Sequence, residues 1–442
     1  MFRFAFLVLV SFTAAAVAQP KLTREQKVRE DRKKVEAEGF WIYNDLPKGF
    51  AEAKKSGKPL LVILRCIPCE ECVKLDDDLV NQDPVVRPLL DKFVCVRVVS
   101  TNGLDISLFQ FDTDQSFAAF FLNADGTVYG RFGTRSHRTN WVGDVSLAGL
   151  AKALQGGLDL HAEHPRIKAA LAGKRGPAPE FPSPEKYPTL KGKYGPALAE
   201  SGNVVPSCIH CHQIGDAQRE YYRSRREPIP EIVLFPYPHP NAIGLTLDPK
   251  ERATVVRVEP RSPAAEARFA TGDVIRSLGG QPLLSVADVQ WVLHTVPAEG
   301  GTVPAEVERA DKTERLTLVL PAGWRRAGDL SWRSSSWGLR RMATGGLLLE
   351  ELSPADRAKA GAAADGMALR VKHVGQYGPH AAAKNAGFRA GDVMVGFDGR
   401  TDLMRETDVL RHGVTAHKPG DRVSVTVLRD REKVSLTLPI QD

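Results

Sequence analysis

The second half of the chain is written twice. Ser262-Pro263-Ala264-Ala265…Ala267…Gly272-Asp273-Val274-Ile275…Gly279-Gly280 returns as Gly378-Pro379-His380-Ala381-Ala382…Ala386-Gly387…Gly391-Asp392-Val393-Met394…Asp398-Gly399. An internal repeat constrains a fold strongly, because both copies must satisfy one architecture. Each copy follows a strand pattern (254–258; 368–371) and precedes a helical stretch (285–294; 403–412). A strand pair then closes each copy (302–309 with 316–320; 422–429 with 434–438). The Gly-Asp pair makes a tight turn and launches an apolar strand. Two β-rich modules are therefore expected, over 236–322 and 330–440.

The first half has a different grammar. Residues 19–36 are dominated by charge and read as a solvated helix or tail. Lys48–Lys55 looks helical, and Pro59–Leu64 is an apolar run that suits a buried central strand. Helical pattern resumes from Cys69 to Val80. Phe93–Val99 and Phe117–Leu122 read as strands, an Asn-Ala-Asp-Gly turn leads into Thr127–Phe132, and Leu147–Leu154 is a helix. Strands alternating with helices argue for an α/β domain over 36–155. In 156–190, six prolines interspersed with Lys and Gly read as a linker that resists packing and leaves the geometry between the Cys66/Cys69 and Cys208/Cys211 motifs free.

Residues 1–18 combine Arg3, the apolar run Ala5–Val10 and Ala16-Val17-Ala18, the pattern of a secretory leader. An exported protein of the periplasm or cell envelope is expected, with no transmembrane segment in the mature chain. The sequence pI is about 9.0, but Lys and Arg are dispersed among Asp and Glu. That dispersion speaks for solubility rather than nucleic-acid binding.

Six cysteines, at 66, 69, 72, 95, 208 and 211, are too few for a disulfide scaffold. Cys208-Ile209-His210-Cys211-His212 is a C-x-x-C-H within a short segment, 191–235. Two thiols at this spacing can add to the vinyl groups of one haem c, with His212 as axial iron ligand. A zinc site using these residues, or a plain disulfide, are the alternatives. Met342, His161, His164 and His239 are candidates for a sixth ligand. Cys66-Ile67-Pro68-Cys69 follows an apolar strand and opens a helix, where the partial positive charge of the helix terminus favours a thiolate. That describes a redox dithiol, with Cys72 a third thiol and metal binding the alternative. Cys95 reads as a core residue.

On these residues, 36–155 resembles the thioredoxin-like fold, especially the secreted thioredoxin-7-like group. Pro68 matches the proline inside the usual motif. Arg65 stands where that group usually has Trp, and no proline precedes Phe117–Leu122, where the fold places a cis-proline. The two repeats resemble bacterial PDZ domains, which bind extended peptides by strand addition. The resemblance puts the peptide-carboxylate loops at Ile243-Gly244-Leu245 and Trp337-Gly338-Leu339. The chain as a whole resembles thioredoxin-7/PDZ proteins, some of which carry selenocysteine. The expected function is an exported redox protein. Its Cys66/Cys69 dithiol and haem would serve exported proteins or peptides held by the PDZ domains, together with a redox partner. The alternatives are a scaffold with a retired thioredoxin-like domain, or a metal-binding protein.

Overall fold

The computed structural model describes residues 22–65, 83–115, 117–134, 146–199 and 202–442. Cys66, Cys69, Cys72 and the helix expected over Cys69–Val80 lie outside the described residues.

The α/β domain is built on a sheet of β1 (Ile42–Tyr43), β2 (Leu60–Arg65), β3 (Val94–Val98), β4 (Phe117–Leu122) and β5 (Val128–Thr134), in the order β1-β3-β2-β4-β5. β1 and β2 run parallel to β3, whereas β4 and β5 are antiparallel additions. Strand side chains alternate between faces, and both faces are covered, so these strands read as continuous apolar runs. Its longer helices are α1 (Arg24–Glu38), α2 (Leu46–Ser56), α3 (Leu147–Glu163) and α4 (Cys211–Ser224), with a short helix at Val86–Leu90. Leu61, Ile63, Ala119 and Phe121 face α3 through Leu150, Ala153 and Leu154. Leu60, Val62, Ala118 and Phe120 face the opposite layer, which holds Ala53 of α2 and Ile214 and Ala217 of α4.

The charged segment is a largely solvated helix, one of its two expected forms: α1, opened by a Thr23/Gln26 capping box, buries Val28 and Val35. Asp31 of α1 pairs with Arg65 at 2.7 Å. The proline-rich stretch 156–190 is no free linker. Helix α3 runs on to Glu163, and 3₁₀ turns follow at Lys168–Lys174 and Pro184–Lys186. The remainder is strapped to the α/β domain. Ile106 donates its amide to Pro182 O at 3.0 Å, Gln110 donates to Pro177 O at 3.0 Å, and Gly103 donates to Glu185 at 3.0 Å. Proline lacks an amide donor but keeps its carbonyl. A proline-rich segment can therefore wrap a surface as an acceptor without leaving buried donors unpaired.

The first repeat contains β6 (Leu245–Leu247), β7 (Val255–Val258), β8 (Val274–Leu278), β9 (Gln281–Pro282), helix α5 (Val286–Thr295), β10 (Gly301–Arg309) and β11 (Lys312–Leu320). Among the described residues β6 pairs only with β7, and β11-β10-β8-β9 form a second sheet. After helix α6 (Ser336–Thr344), the second repeat has β12 (Leu347–Glu351), β13 (Leu369–Val374), β14 (Val393–Phe397), α7 (Glu406–Thr415), β15 (Arg422–Arg429) and β16 (Glu432–Pro439), in one sheet from β12 to β16. The repeated Gly-Asp does more than turn the chain. Gly272 and Gly391 take φ of 92° and 93°, which suits glycine. The following Asp273 and Asp392 are buried and each receives both Nε and Nη2 of one arginine, Arg309 or Arg429, at 2.7–2.8 Å.

The halves are locked together. Asp288 of α5 accepts from the Arg131 amide at 3.1 Å, Ser285 donates to Arg131 O at 2.6 Å, and Lys174 Nζ lies 2.9 Å from Asp288. Helix α5 thereby covers part of β5, an edge strand of the α/β sheet. Between the repeats, Arg333 pairs with Asp112 at 2.6 Å and with Asp114 at 3.2 Å, all three buried.

Candidate functional site

The C-x-x-C-H segment is held by the chain that leaves β3. Asn102 donates to Ser207 O at 3.0 Å and accepts from the Ile209 amide at 2.8 Å. Thr101 donates to Ile209 O through both its amide, at 3.1 Å, and its hydroxyl, at 2.8 Å. From the other side, Glu25 of α1 accepts the amides of Val204 and Val205 at 3.1 and 3.0 Å. Ile209 is fully buried in the α4-side core, and Cys208 is 6% exposed with Sγ 3.9 Å from Val99 O. His210 caps α4, and Cys211 is its first residue.

The motif as packed does not fit a porphyrin. Cys211 borders a cavity of about 10 Å³, shared with Leu64, Arg65, Val98, Thr101 and Ile209. That volume holds about one water. The sixth-ligand candidates are engaged elsewhere. His161 bonds Tyr129 at 2.8 Å on the α3 side of the sheet, and His164 lies 3.7 Å from Asp125. His239 caps Pro240–Ile243, and Met342 is buried against α7. The zinc alternative lacks convergent donors: among the described residues, the group that brings three ligand atoms together lies in the second repeat.

Burial sets the protonation of the motif. It raises the Cys208 thiol and pushes Cys211 up to about 12. It pulls His210 down to about 4, with His212 adding to the effect, and it lowers His212 against the pull of Asp114. At neutral pH this is a pair of protonated thiols beside neutral imidazoles. Cys211 and Arg65 line the same small cavity, and Cys66 follows Arg65 in the chain.

The two peptide loops expected from sequence have different fates. Ile243-Gly244-Leu245 does lead into a strand: Gly244 has φ of 83°, and Leu245 begins β6. A Cβ on Gly244 would collide with the side chain of Ser262. Trp337-Gly338-Leu339, in contrast, is the first part of α6, and Leu339 is fully buried. The turn before β12 is Gly345-Gly346, with φ of 62° and 93°. Two signals in the sequence mark this. Leu339, Met342 and Ala343 recur at helical spacing, and a doubled glycine stands directly before the apolar run 347–349.

Helix α6 lies against α7. Leu339, Met342 and Ala343 pack on Leu410 and Val414. Arg340 donates to Glu406 at 2.9 and 2.6 Å, and Glu406 accepts the Leu349 amide of β12 at 2.8 Å. Glu406 thus takes up a main-chain donor on the side of β12 that faces α7.

Comparison with known proteins identifies the modules. A thioredoxin-like family profile matches residues 41–124, and a PDZ domain profile matches 241–320 and 357–440. The chain carries one thioredoxin-like domain and two PDZ domains. A probable periplasmic serine endoprotease DegP-like from Pseudomonas savastanoi pv. phaseolicola (strain 1448A / Race 6) is 27% identical over 202 residues, 44% of this chain and 39% of that relative. The chain thus spans about two fifths of the length of this curated relative. Among solved structures, the HtrA-type protease AlgW with tripeptide is 28% identical over 22% of this chain and 30% of that one, with a TM-score of 0.18. AlgW with decapeptide is 16% identical over 42% of this chain and 54% of that one, with a TM-score of 0.23.

The PDZ domains support a protein-binding role for the chain. Peptides add to a PDZ sheet edge beside a helix. Among the described residues, β6 of the first PDZ domain and β12 of the second each have a strand neighbour on one side only. In the second, Glu406, paired with Arg340 of α6, accepts the Leu349 amide of β12, and α6 packs on α7.

Proposed function

We propose that this chain is an exported peptide-docking protein whose first PDZ domain receives extended chain termini for thiol chemistry in the thioredoxin-like domain. The observation that carries the reading is one difference between two edge strands: in the second PDZ domain Glu406 accepts the Leu349 amide of β12, whereas β6, which follows the Ile243–Leu245 loop, is paired with β7 alone among the described residues. The leader at 1–18 and the resemblance to a relative named as periplasmic support export. Among the described residues no helix is long and apolar enough to cross a membrane. Cys66 and Cys69 are the exchanging pair. Cys208, which is buried, and Cys211, half-buried where it borders the same small cavity as Arg65, are a second dithiol.

Binding of decapeptides with free or amidated C-termini to the full chain tests the docking. Free-carboxylate peptides should bind at least ten-fold more tightly, since the loop amides need an anion; equal binding would contradict the reading. Cys66→Ser/Cys69→Ser should abolish disulfide reduction and spare peptide binding. Unchanged reduction would remove the thiol role and leave a scaffold.

The second reading, a haem c on Cys208 and Cys211 with His212 on iron, is favoured by the motif spacing and the leader. A pyridine haemochrome band after expression with a haem-maturation system, lost in Cys208→Ala/Cys211→Ala, would establish it. It would also require the motif to open from the packing described above.

A further inference from the structure

We infer that Asp398, His412 and His417 form a binding site for a divalent transition-metal ion on the second PDZ domain. Asp398 sits in the turn after β14 with φ of 57°, His412 is on α7, and His417 lies just beyond the end of that helix. Both histidine Nε2 atoms stand 2.8 Å from the same oxygen, Asp398 Oδ2. The two rings meet edge to face, with centroids 5.6 Å apart and planes at 84°. The three ligand atoms all lie within 4.8 Å of one another.

Two imidazoles and one carboxylate suit zinc, cobalt, nickel or copper rather than calcium or magnesium. An ion bound at about 2.0–2.1 Å spaces tetrahedral donors about 3.3 Å apart, so each imidazole would draw back from Asp398 Oδ2 by about 0.5 Å on binding. Asp421 Oδ2 lies 3.7 Å from His417 Nδ1, within ion-pair reach of the ring. Arg223 donates to the His417 carbonyl at 2.7 Å and fixes the segment. The side chains of His412 and His417 are 12% and 16% exposed and that of Asp398 is 36%, which leaves an approach for the ion and a water.

The first repeat shows that the PDZ fold does not require this trio. Its helix α5 has the same length as α7, so Val292 stands where His412 does. Pro297 and Gly279 match His417 and Asp398 by their spacing to Gly300/Gly420 and Gly280/Gly399. The spatial pairing is also kept: a Cβ on Gly279 would lie 3.1 Å from Val292. One copy thus folds with Gly, Val and Pro, while the other assembles three ligands.

The test uses the full chain after chelator treatment, titrated with zinc chloride. Zinc should raise the melting temperature and protect His412 and His417 together from diethyl pyrocarbonate, read by peptide mass spectrometry. Asp398→Asn should weaken that protection at least ten-fold. His412→Val, which copies the residue of the first repeat, should keep the metal-free melting temperature while losing protection of His417. Unchanged modification of both histidines by zinc in a folded wild-type chain would overturn the site. So would protection of His417 that survives His412→Val. Zinc held by the cysteines leaves both histidines reactive, so that outcome also counts against the site.

Discussion

Lys174 Nζ lies 2.9 Å from Asp288 Oδ1, and both side chains are fully buried. Lys174 comes from the proline-rich wrap of the thioredoxin-like domain and Asp288 from α5 of the first PDZ domain. Desolvation lowers the lysine pKa and the Asp288 charge opposes it. Breaking one partner of a buried pair leaves a charge uncompensated and costs ~3–5 kcal/mol. Lys174→Met is expected to lower the stability of the full chain by about that amount in urea unfolding. Lys174→Met/Asp288→Leu should recover part of the loss. A single mutant within ~0.5 kcal/mol of wild type would show that the junction is not held this way.

The closed second PDZ domain has its own signature. Met342 is 1% exposed and packs with Leu339 on Leu410 and Val414. Met342→Ala should cost ~2–5 kcal/mol, the range for truncating a buried side chain. Arg340→Met should be comparably costly, because Glu406 is 4% exposed and would keep only its bond to the Leu349 amide. Differential scanning calorimetry checks both, and mild surface-like effects would argue that α6 does not plug the module.

Asp216 on α4 supplies a pH dependence. Burial pushes its carboxyl up to about 7, with Asp114 and Glu220 adding to the effect and Arg219 and Arg341 opposing it. The unfolded chain releases this proton near ~3.9. Between those values the native state holds more protons, so this group's contribution to stability declines as pH rises and is lost above about 7. Asp216→Asn removes that slope. Its melting temperature should match wild type near pH 4 and exceed it by several degrees near pH 8. A constant gap across that range would contradict the assignment.

The thiols of the C-x-x-C-H segment should be slow. Burial raises both, Cys211 to about 12, so little thiolate exists at pH 8. Iodoacetamide should label Cys208 and Cys211 at least ten-fold more slowly in the native chain than in urea, read by mass spectrometry. Native labelling as fast as in urea would contradict the raised thiols.

Much of this architecture is legible in the residues. The period-2 and fully apolar strands of both halves, and the doubled Gly-Asp pattern, mark elements whose burial leaves few alternatives. The proline-rich segment misleads because proline predicts poor helices and strands, while its ability to wrap a domain through its carbonyls leaves no periodic trace. Trp337-Gly338-Leu339 imitates an apolar-Gly-apolar loop, although Leu339, Met342 and Ala343 carry the helical period. The C-x-x-C-H spacing states what two thiols and an imidazole could bind. It does not state that Ile209 anchors the segment in the core and leaves about 10 Å³ beside Cys211. The Asp398–His412–His417 cluster is invisible in the sequence because its members come from a turn, a helix and the loop beyond it.

Hydrogen–deuterium exchange of the full chain with a pool of free-carboxylate decapeptides tests the docking assignment most directly. The expected result is new protection over residues 243–247, where β6 gains a strand, and none over 347–351. Protection at 347–351, or none at 243–247 with peptide bound, would contradict the division of labour between the two PDZ domains.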